Sequence, residues 1–202
     1  MLHHAAVPLN LLEVLERLRG PLVGKGFALV GGTSLALRLG HRLSVDLDFF
    51  TLESFLPDDL LDALGLSTER VTDKSASSLQ LAVGGVKVEF LRHAYPLLEP
   101  HEIVGGIKMY SLRDVCAMKL NAITNRGAKK DFFDVAALLG RFPLPGMLDD
   151  YCLKYGVSHR FMVIRSLVWF DDAEEEPNPV SLDGTSWEAV KSVVSKAVSE
   201  IV

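Results

Sequence analysis

The sequence predicts an α+β protein, a mixed sheet flanked by helices and followed by a helical C-terminal portion. Three observations point there. Segments that alternate apolar and polar residues, as half-buried strands do, all fall before about residue 110. They are joined both by a helical stretch and by a tight glycine turn, which argues for a mixed sheet rather than a doubly wound parallel one. After Pro145 only helical periodicity remains. The expected division is residues 1–140 as one domain and 141–202 as a helical region packed on it.

The elements follow in order. Residues 8–19 place Leu11, Leu12, Leu15 and Leu18 on one helical stripe, and Gly24 and Gly26 break it. Phe27-Ala28-Leu29-Val30 reads as a short buried strand ending in Gly31-Gly32, and the stretch from Thr33 to Gly40 as the helix leaving it. Residues 43–51 alternate as a second strand, and Pro57-Asp58-Asp59 opens a helix over 57–64. Strands at 78–83 and 86–92 meet at Gly84-Gly85, a hairpin signal. A short strand is expected at Ile107–Tyr110. Ser111 and Asp114 then have capping-box spacing and open a helix to about Arg126. Another helix covers about Lys129 to Leu139, ended by Gly140, Pro143 and Pro145. Helices follow at about 147–155, 158–170 and 186–200, with the acidic stretch 171–179 expected as a mobile loop.

With 49% hydrophobic residues and 23% charged, the 202-residue chain can bury a sizeable core, and wholesale disorder is excluded. No apolar run reaches the roughly 18–20 residues that span a bilayer. Nothing suggests export, and Cys116 and Cys152 read as two buried free thiols of a cytoplasmic protein. The net charge of −5 speaks against a broad nucleic-acid face. Between Lys108 and Lys130, however, Lys108, Arg113, Lys119, Arg126, Lys129 and Lys130 meet a single acid, Asp114. That local basic zone suits a phosphate-bearing ligand or, equally, a solvated helix surface.

Asp46 and Asp48 are the centre of the functional case. Residues two apart on a strand point to one face, so their carboxylates project together, about 6–7 Å apart at the backbone. Leu47 and Phe49 then point into a core. Two such carboxylates repel unless a cation lies between them, and hard oxygen ligands suit Mg²⁺, with Mn²⁺ as an alternative. Glu89, within Val86-Lys87-Val88-Glu89-Phe90, supplies a third acid on another alternating strand. Three such acids can hold two metals about 3.5–4 Å apart. A D-x-D strand by itself fits a solvated face as well. Gly31-Gly32-Thr33-Ser34 changes the balance, because glycines at a helix start let a phosphate approach unpaired amides, with hydroxyl donors beside them. An anion cradle beside an acid pair suits a triphosphate with its metal.

Two blocks carry a family resemblance. Residues 27–34, FALVGGTS, with 40–50, GHRLSVDLDFF, resemble the signature of the AbiEii/AbiGii toxin family of polymerase-β-like nucleotidyltransferases. Lys119-Leu120-Asn121-Ala122 and residues 126–134, RGAKKDFFD, are similar to its downstream motifs, so the likeness covers about 25–140. The resemblance implies the polymerase-β-like fold and a catalytic domain over 1–140. It maps nucleotide and metal binding to Gly31, Gly32, Ser34, Asp46, Asp48, Lys119 and Asp131, with Glu89 where an aspartate is more usual. It implies an NTP substrate and a toxin role, with tRNA among the acceptors and a cognate antitoxin as partner.

Thr33, Arg42 and Ser44 join the nucleotide-binding candidates by position, and Lys119 would stabilise charge on the triphosphate. Unaided, a lysine on a partly apolar helix face either snorkels or reaches a buried anion. Asp134 is expected to pair with Arg126 or Lys130, and His41 to make a structural hydrogen bond. Phe49, Phe50, Phe132 and Phe133 are read as core. Two other readings stay open, a nucleotide-binding regulator without turnover and nucleotidylation of a small molecule. The oligomeric state is not legible.

Overall fold

The structure is a computed structural model that describes residues 2–66, 69–158 and 160–201. It divides into two compact units. The first comprises the chain up to Arg38 with Ser44–Pro96 and His101–Tyr110, and the second Leu39–Leu43, Leu97–Pro100 and the chain from Ser111 on.

The strands of the first unit are β1 (Ala28–Val30), β2 (Asp46–Thr51), β3 (Arg70–Lys74), β4 (Ser78–Val83), β5 (Val86–Arg92), β6 (Glu102–Val104) and β7 (Ile107–Met109). Among the described residues they form one seven-stranded sheet ordered β3-β4-β5-β2-β1-β7-β6. It is mixed, as expected: β2 runs parallel to β5 and β1 to β7, while β1 and β2 are antiparallel. Alternation sends Leu47 and Phe49 of β2, and Val86, Val88 and Phe90 of β5, to one face. There they join α1 (Leu9–Arg19), through Leu11, Val14, Leu15 and Leu18, and α3 (Pro57–Ala63), through Leu60 and Leu61. Phe49 stacks on Phe90 at 5.4 Å, and Phe27 meets Phe90 edge-on. Each such side chain contributes about 1.5–3 kcal/mol by leaving water, so this face anchors β2. The opposite face carries Asp46, Asp48, Gln80 and Glu89, all half-buried.

The sequence reading needs local correction here. Strand β2 begins at Asp46 rather than at 43, because the amides of Leu43 and Ser44 bond to Val180 and Ala6 carbonyls outside the sheet. Phe50 is half-buried and stacks on His93 instead of entering the core. The unexpected β3 is exposed at every position and shows no apolar alternation.

The second unit is helical. Its α4 (Leu112–Asn125) packs against α5 (Lys129–Leu139), α6 (Leu144–Tyr155) and α7 (Phe161–Leu167), while α5 packs against α9 (Trp187–Ser199). The Ser111 hydroxyl accepts the Asp114 amide at 3.0 Å, the N-cap that the spacing predicts. Asp114 is fully buried; burial opposes its charge, yet the Lys154 ammonium at 2.7 Å and donation by Ser111 hold it below the usual carboxylate range. Helix α6 starts before 147, with Pro145 in its first turn, where the missing amide is harmless. The helix expected over 158–170 is present as α7, with residue 159 outside the described residues. The acidic stretch is not a free loop. Asp171–Glu174 forms α8, Ala173 is fully buried, and Glu174 accepts the Trp187 indole N–H at 3.0 Å. Both cysteines are free, but only Cys116 is buried, and burial pushes its thiol up to about 12.

Candidate active site

Strand β1 ends at Val30, which lies opposite Asp48 in the antiparallel pair with β2. The chain then turns through Gly31 into α2 (Gly31–Leu39). Gly31 has φ +73°, and a Cβ there would stand 2.5 Å from Asp48 Oδ2. Only glycine fits both the left-handed backbone and that approach. The glycine turn and the Asp48 carboxylate are therefore adjacent. Gly31 and Gly32 are partly exposed at the start of α2, where backbone amides have no helical acceptors.

The hydroxyls of the same motif point inward. Thr33 is fully buried, and its single proton is given to the Asp46 carbonyl. The same hydroxyl lies 2.9 Å from Ser44 Oγ. Ser34 is equally buried, its hydroxyl 3.7 Å from Met109 Sδ. Thr33 and Ser44 thus strap the start of β2 to the glycine turn.

Parallel register sets Asp48 beside Glu89 and Asp46 beside Lys87, on strands about 4.8 Å apart. Glu89 Oε1 accepts the Gln80 amide at 3.1 Å. Asp46 has no ion pair or hydrogen bond through its carboxylate among the described residues. Lys87 escaped the candidate set, although the alternation of Val86 to Phe90 puts it on the face of Glu89.

Asp46, Asp48 and Glu89 therefore share one sheet face. Among the described residues, however, no three His, Cys, Asp or Glu side chains close on a point that could hold a metal ion. Their chemistry still fits a small divalent cation. Such ions commonly take one or two carboxylates and complete their shell with water and substrate phosphate oxygens.

The remaining candidates belong to the second unit, where they form a buried ion network. Lys119 Nζ lies 2.9 Å from Asp131 Oδ1 and 2.6 Å from Asp134 Oδ2. Arg42 grips Asp134 with two nitrogens, Nε at 2.7 Å and Nη2 at 2.8 Å, and His41 Nε2 is 2.7 Å from the same carboxylate. Arg126 makes the matching two-point contact to Asp131 at 2.7 and 2.9 Å. Both aspartates are fully buried. Burial would raise their pKa values, but Lys119 together with Arg126 (on Asp131) or Arg42 (on Asp134) holds them well below the carboxylate range. Lys119 itself is held above the usual lysine value, because Asp134 and Asp131 outweigh its desolvation.

His41 makes its expected structural bond, whereas Asp134 pairs with Arg42, His41 and Lys119 rather than with Arg126 or Lys130. The basic zone also resolves differently from its sequence impression, because its partners lie outside the 108–130 window. Arg113 meets Glu99 and Asp150, and Lys129 Nζ donates to the Glu174 and Glu176 carbonyls. Of the six cations, Lys130 is exposed without an ion pair among the described residues.

Comparison with known proteins agrees with this architecture. The sequence profile described as "Nucleotidyl transferase AbiEii toxin, Type IV TA system" matches residues 13–81 and 78–193. An uncharacterized protein of Aquifex aeolicus (strain VF5) is 34% identical over 200 residues, covering 93% of this chain and 94% of that one. The fold is similar to that of MenT4, a nucleotidyltransferase toxin of Mycobacterium tuberculosis, with TM-score 0.64 and 19% identity over 95% of this chain and 84% of MenT4. It is also similar to JHP933 of Helicobacter pylori, with TM-score 0.60 and 17% identity over 100% of this chain and 93% of that one. Among the described residues no helix is long and apolar enough to cross a membrane.

Proposed function

The chain belongs to the AbiEii nucleotidyltransferase toxin family of type IV toxin–antitoxin systems, and from that membership we propose that it moves a nucleoside monophosphate from an NTP to a hydroxyl of RNA, with tRNA as the acceptor class. The observation that carries this reading is the approach of Asp48 to Gly31, which sets a carboxylate against an anion-accepting helix start. Residues 1–140 hold every assigned site residue and are the proposed catalytic portion. The proposed partners are an NTP, the RNA and a cognate antitoxin, and the proposed place of action is the cytoplasm.

In this mechanism the amides of Gly31 and Gly32 receive the triphosphate, helped by the positive end of α2. Asp46, Asp48 and Glu89 would hold Mg²⁺ or Mn²⁺. When bound, such a cation makes the acceptor hydroxyl easier to ionise and neutralises charge on the departing phosphate. The acceptor oxygen loses its proton to solvent and bonds to the α-phosphorus. The bond from that phosphorus to the oxygen bridging to the β-phosphate breaks, and pyrophosphate leaves. Thr33 and Ser44 keep Asp46 in place for this. The nucleotide contacts assigned to Ser34, Arg42, Lys119 and Asp131 are supported by motif and sequence position. For Arg42, Lys119 and Asp131 the ion network adds an independent structural role.

The test is purified protein with each α-³²P-labelled NTP, Mg²⁺ and total tRNA, beside an Asp46→Ala/Asp48→Ala control. Label should pass to RNA only with the acids intact. Mg²⁺-dependent NTP binding without label on RNA would redirect the reading to another acceptor or a regulator.

A further inference from the structure

We propose that Lys87 and Arg70 form a cationic track across the acid face of the sheet that holds the phosphate backbone of the RNA acceptor, an inference that rests on the RNA reading above. Directly opposed residues of neighbouring strands project to one face. The register sets Asp46 of β2 opposite Lys87 of β5, Lys87 opposite Ala82 of β4, and Ala82 opposite Arg70 of β3. One row therefore runs from Asp46 through Lys87 and Ala82 to Arg70 at the sheet edge. Lys87 and Arg70 are exposed, and neither has an ion pair or side-chain hydrogen bond among the described residues. Ala82 between them is half-buried and carries only a methyl group, which leaves the row shallow between the two charges.

An arginine on an edge strand, taken alone, fits protection of that edge against pairing with another chain. That explanation does not reach Lys87, because β5 is paired on both sides. The row suits an extended anion. Strands about 4.8 Å apart set Lys87 about 5 Å and Arg70 about 14 Å from Asp46 across the sheet. The glycine turn follows β1, on the other side of β2. A triphosphate at Gly31 and Gly32 is compact and meets backbone donors there, whereas the repeated phosphates of an RNA strand can span such a row. The next row, Asp48, Glu89, Gln80 and Asp73, carries three carboxylates, which repel phosphate and confine the backbone to the row of Lys87 and Arg70. With a net charge of −5 the protein as a whole repels RNA, so unspent cations beside the acids decide where the acceptor lies.

The experiment measures the affinity of a fluorescently labelled single-stranded RNA at salt concentrations between about 50 and 200 mM. The proteins are the wild type, Lys87→Ala, Arg70→Ala, the double alanine variant and Lys87→Arg. Alongside, initial rates of label transfer are measured with tRNA and NTP varied separately. Each lost phosphate contact should flatten the slope of log affinity against log salt by about 0.7, and the double variant by about 1.4. Each alanine variant should raise KM for tRNA about threefold and the double variant about tenfold, with KM for NTP unchanged. Lys87→Arg, which keeps the charge, should match the wild type in slope and in both KM values. An unchanged salt slope in the double variant, or a raised KM for NTP, would overturn the track. A wild type that labels no RNA would sink the RNA reading and the track with it, whereas transfer with an unchanged KM for tRNA in the double variant removes the track alone.

Discussion

The carboxylates on the sheet of the first unit and those in the helical second unit are alike in kind and opposite in company. Among the described residues Asp46 is half-buried with no charged partner, and Glu89 has the neutral amide of Gln80. Asp131 and Asp134 are fully buried and share Lys119, Arg42, Arg126 and His41. A fully buried acid must find its cation within the protein, since an uncompensated buried charge is costly. A half-exposed acid can stay unbalanced, and that leaves coordination for an external cation. Under the proposed function, the difference separates acids that would hold a cation from acids whose charge the fold already balances.

The largest expected effect tests that separation directly. Asp134→Ala strands Arg42 and part of the Lys119 charge in the interior and should cost about 3–5 kcal/mol of unfolding free energy. Asp46→Ala should leave stability within about 0.5 kcal/mol of wild type while lowering label transfer at least about a hundredfold. Urea unfolding of both variants checks this. Equal losses of stability would erase the distinction between the two acid groups.

The next effect concerns pH. Asp131 and Asp134 have folded pKa values below their unfolded ones. Their contribution is therefore present above the unfolded carboxylate value, about 3.9, and is lost as pH falls through the folded values. Lys119 is shifted upward, so its contribution is full below about 10.4 and is lost only as pH rises through its higher folded value. Asp131, Asp134 and Lys119 thus add no pH dependence across the neutral range. In acid, each group can add up to about 1.4 kcal/mol per pH unit. Asp134→Asn should flatten the acid limb of unfolding free energy against pH by up to that slope, measured from pH 2.5 to 5. Superimposable acid limbs would place the acid sensitivity elsewhere.

The two regions also differed in how far the sequence disclosed them. Alternation in residues 46–51 and 86–92 gave the faces of β2 and β5 correctly, because period two assigns every side chain once one face is buried. It also placed Asp46, Asp48 and Glu89 together. The burial of Thr33 and Ser34 was not legible, since a helix-start motif does not say which side chains turn into the core. The ion network was legible only in part. Arg42 and Asp134 are 92 residues apart, and a long-range pair leaves no periodic trace. Hairpin β6–β7 carried the same glycine pair, Gly105-Gly106, that revealed Gly84-Gly85, but its first strand has three residues and no buried alternation.

The smallest effect asks whether the first unit holds a structural network of its own. Thr33 reads from sequence as a phosphate donor and stands in the structure as a strut to the Asp46 carbonyl and Ser44. Thr33→Val keeps the shape and removes the hydroxyl, leaving a carbonyl and a serine short of a partner, at a cost of about 1 kcal/mol. A strut predicts lower stability, a few-fold loss of kcat through a less firmly held Asp46, and an unchanged KM for NTP, all restored by Thr33→Ser. A phosphate contact predicts a raised KM for NTP at unchanged stability. The buried position favours the first pattern, because a hydroxyl whose only proton is already given to a carbonyl has none left for a phosphate.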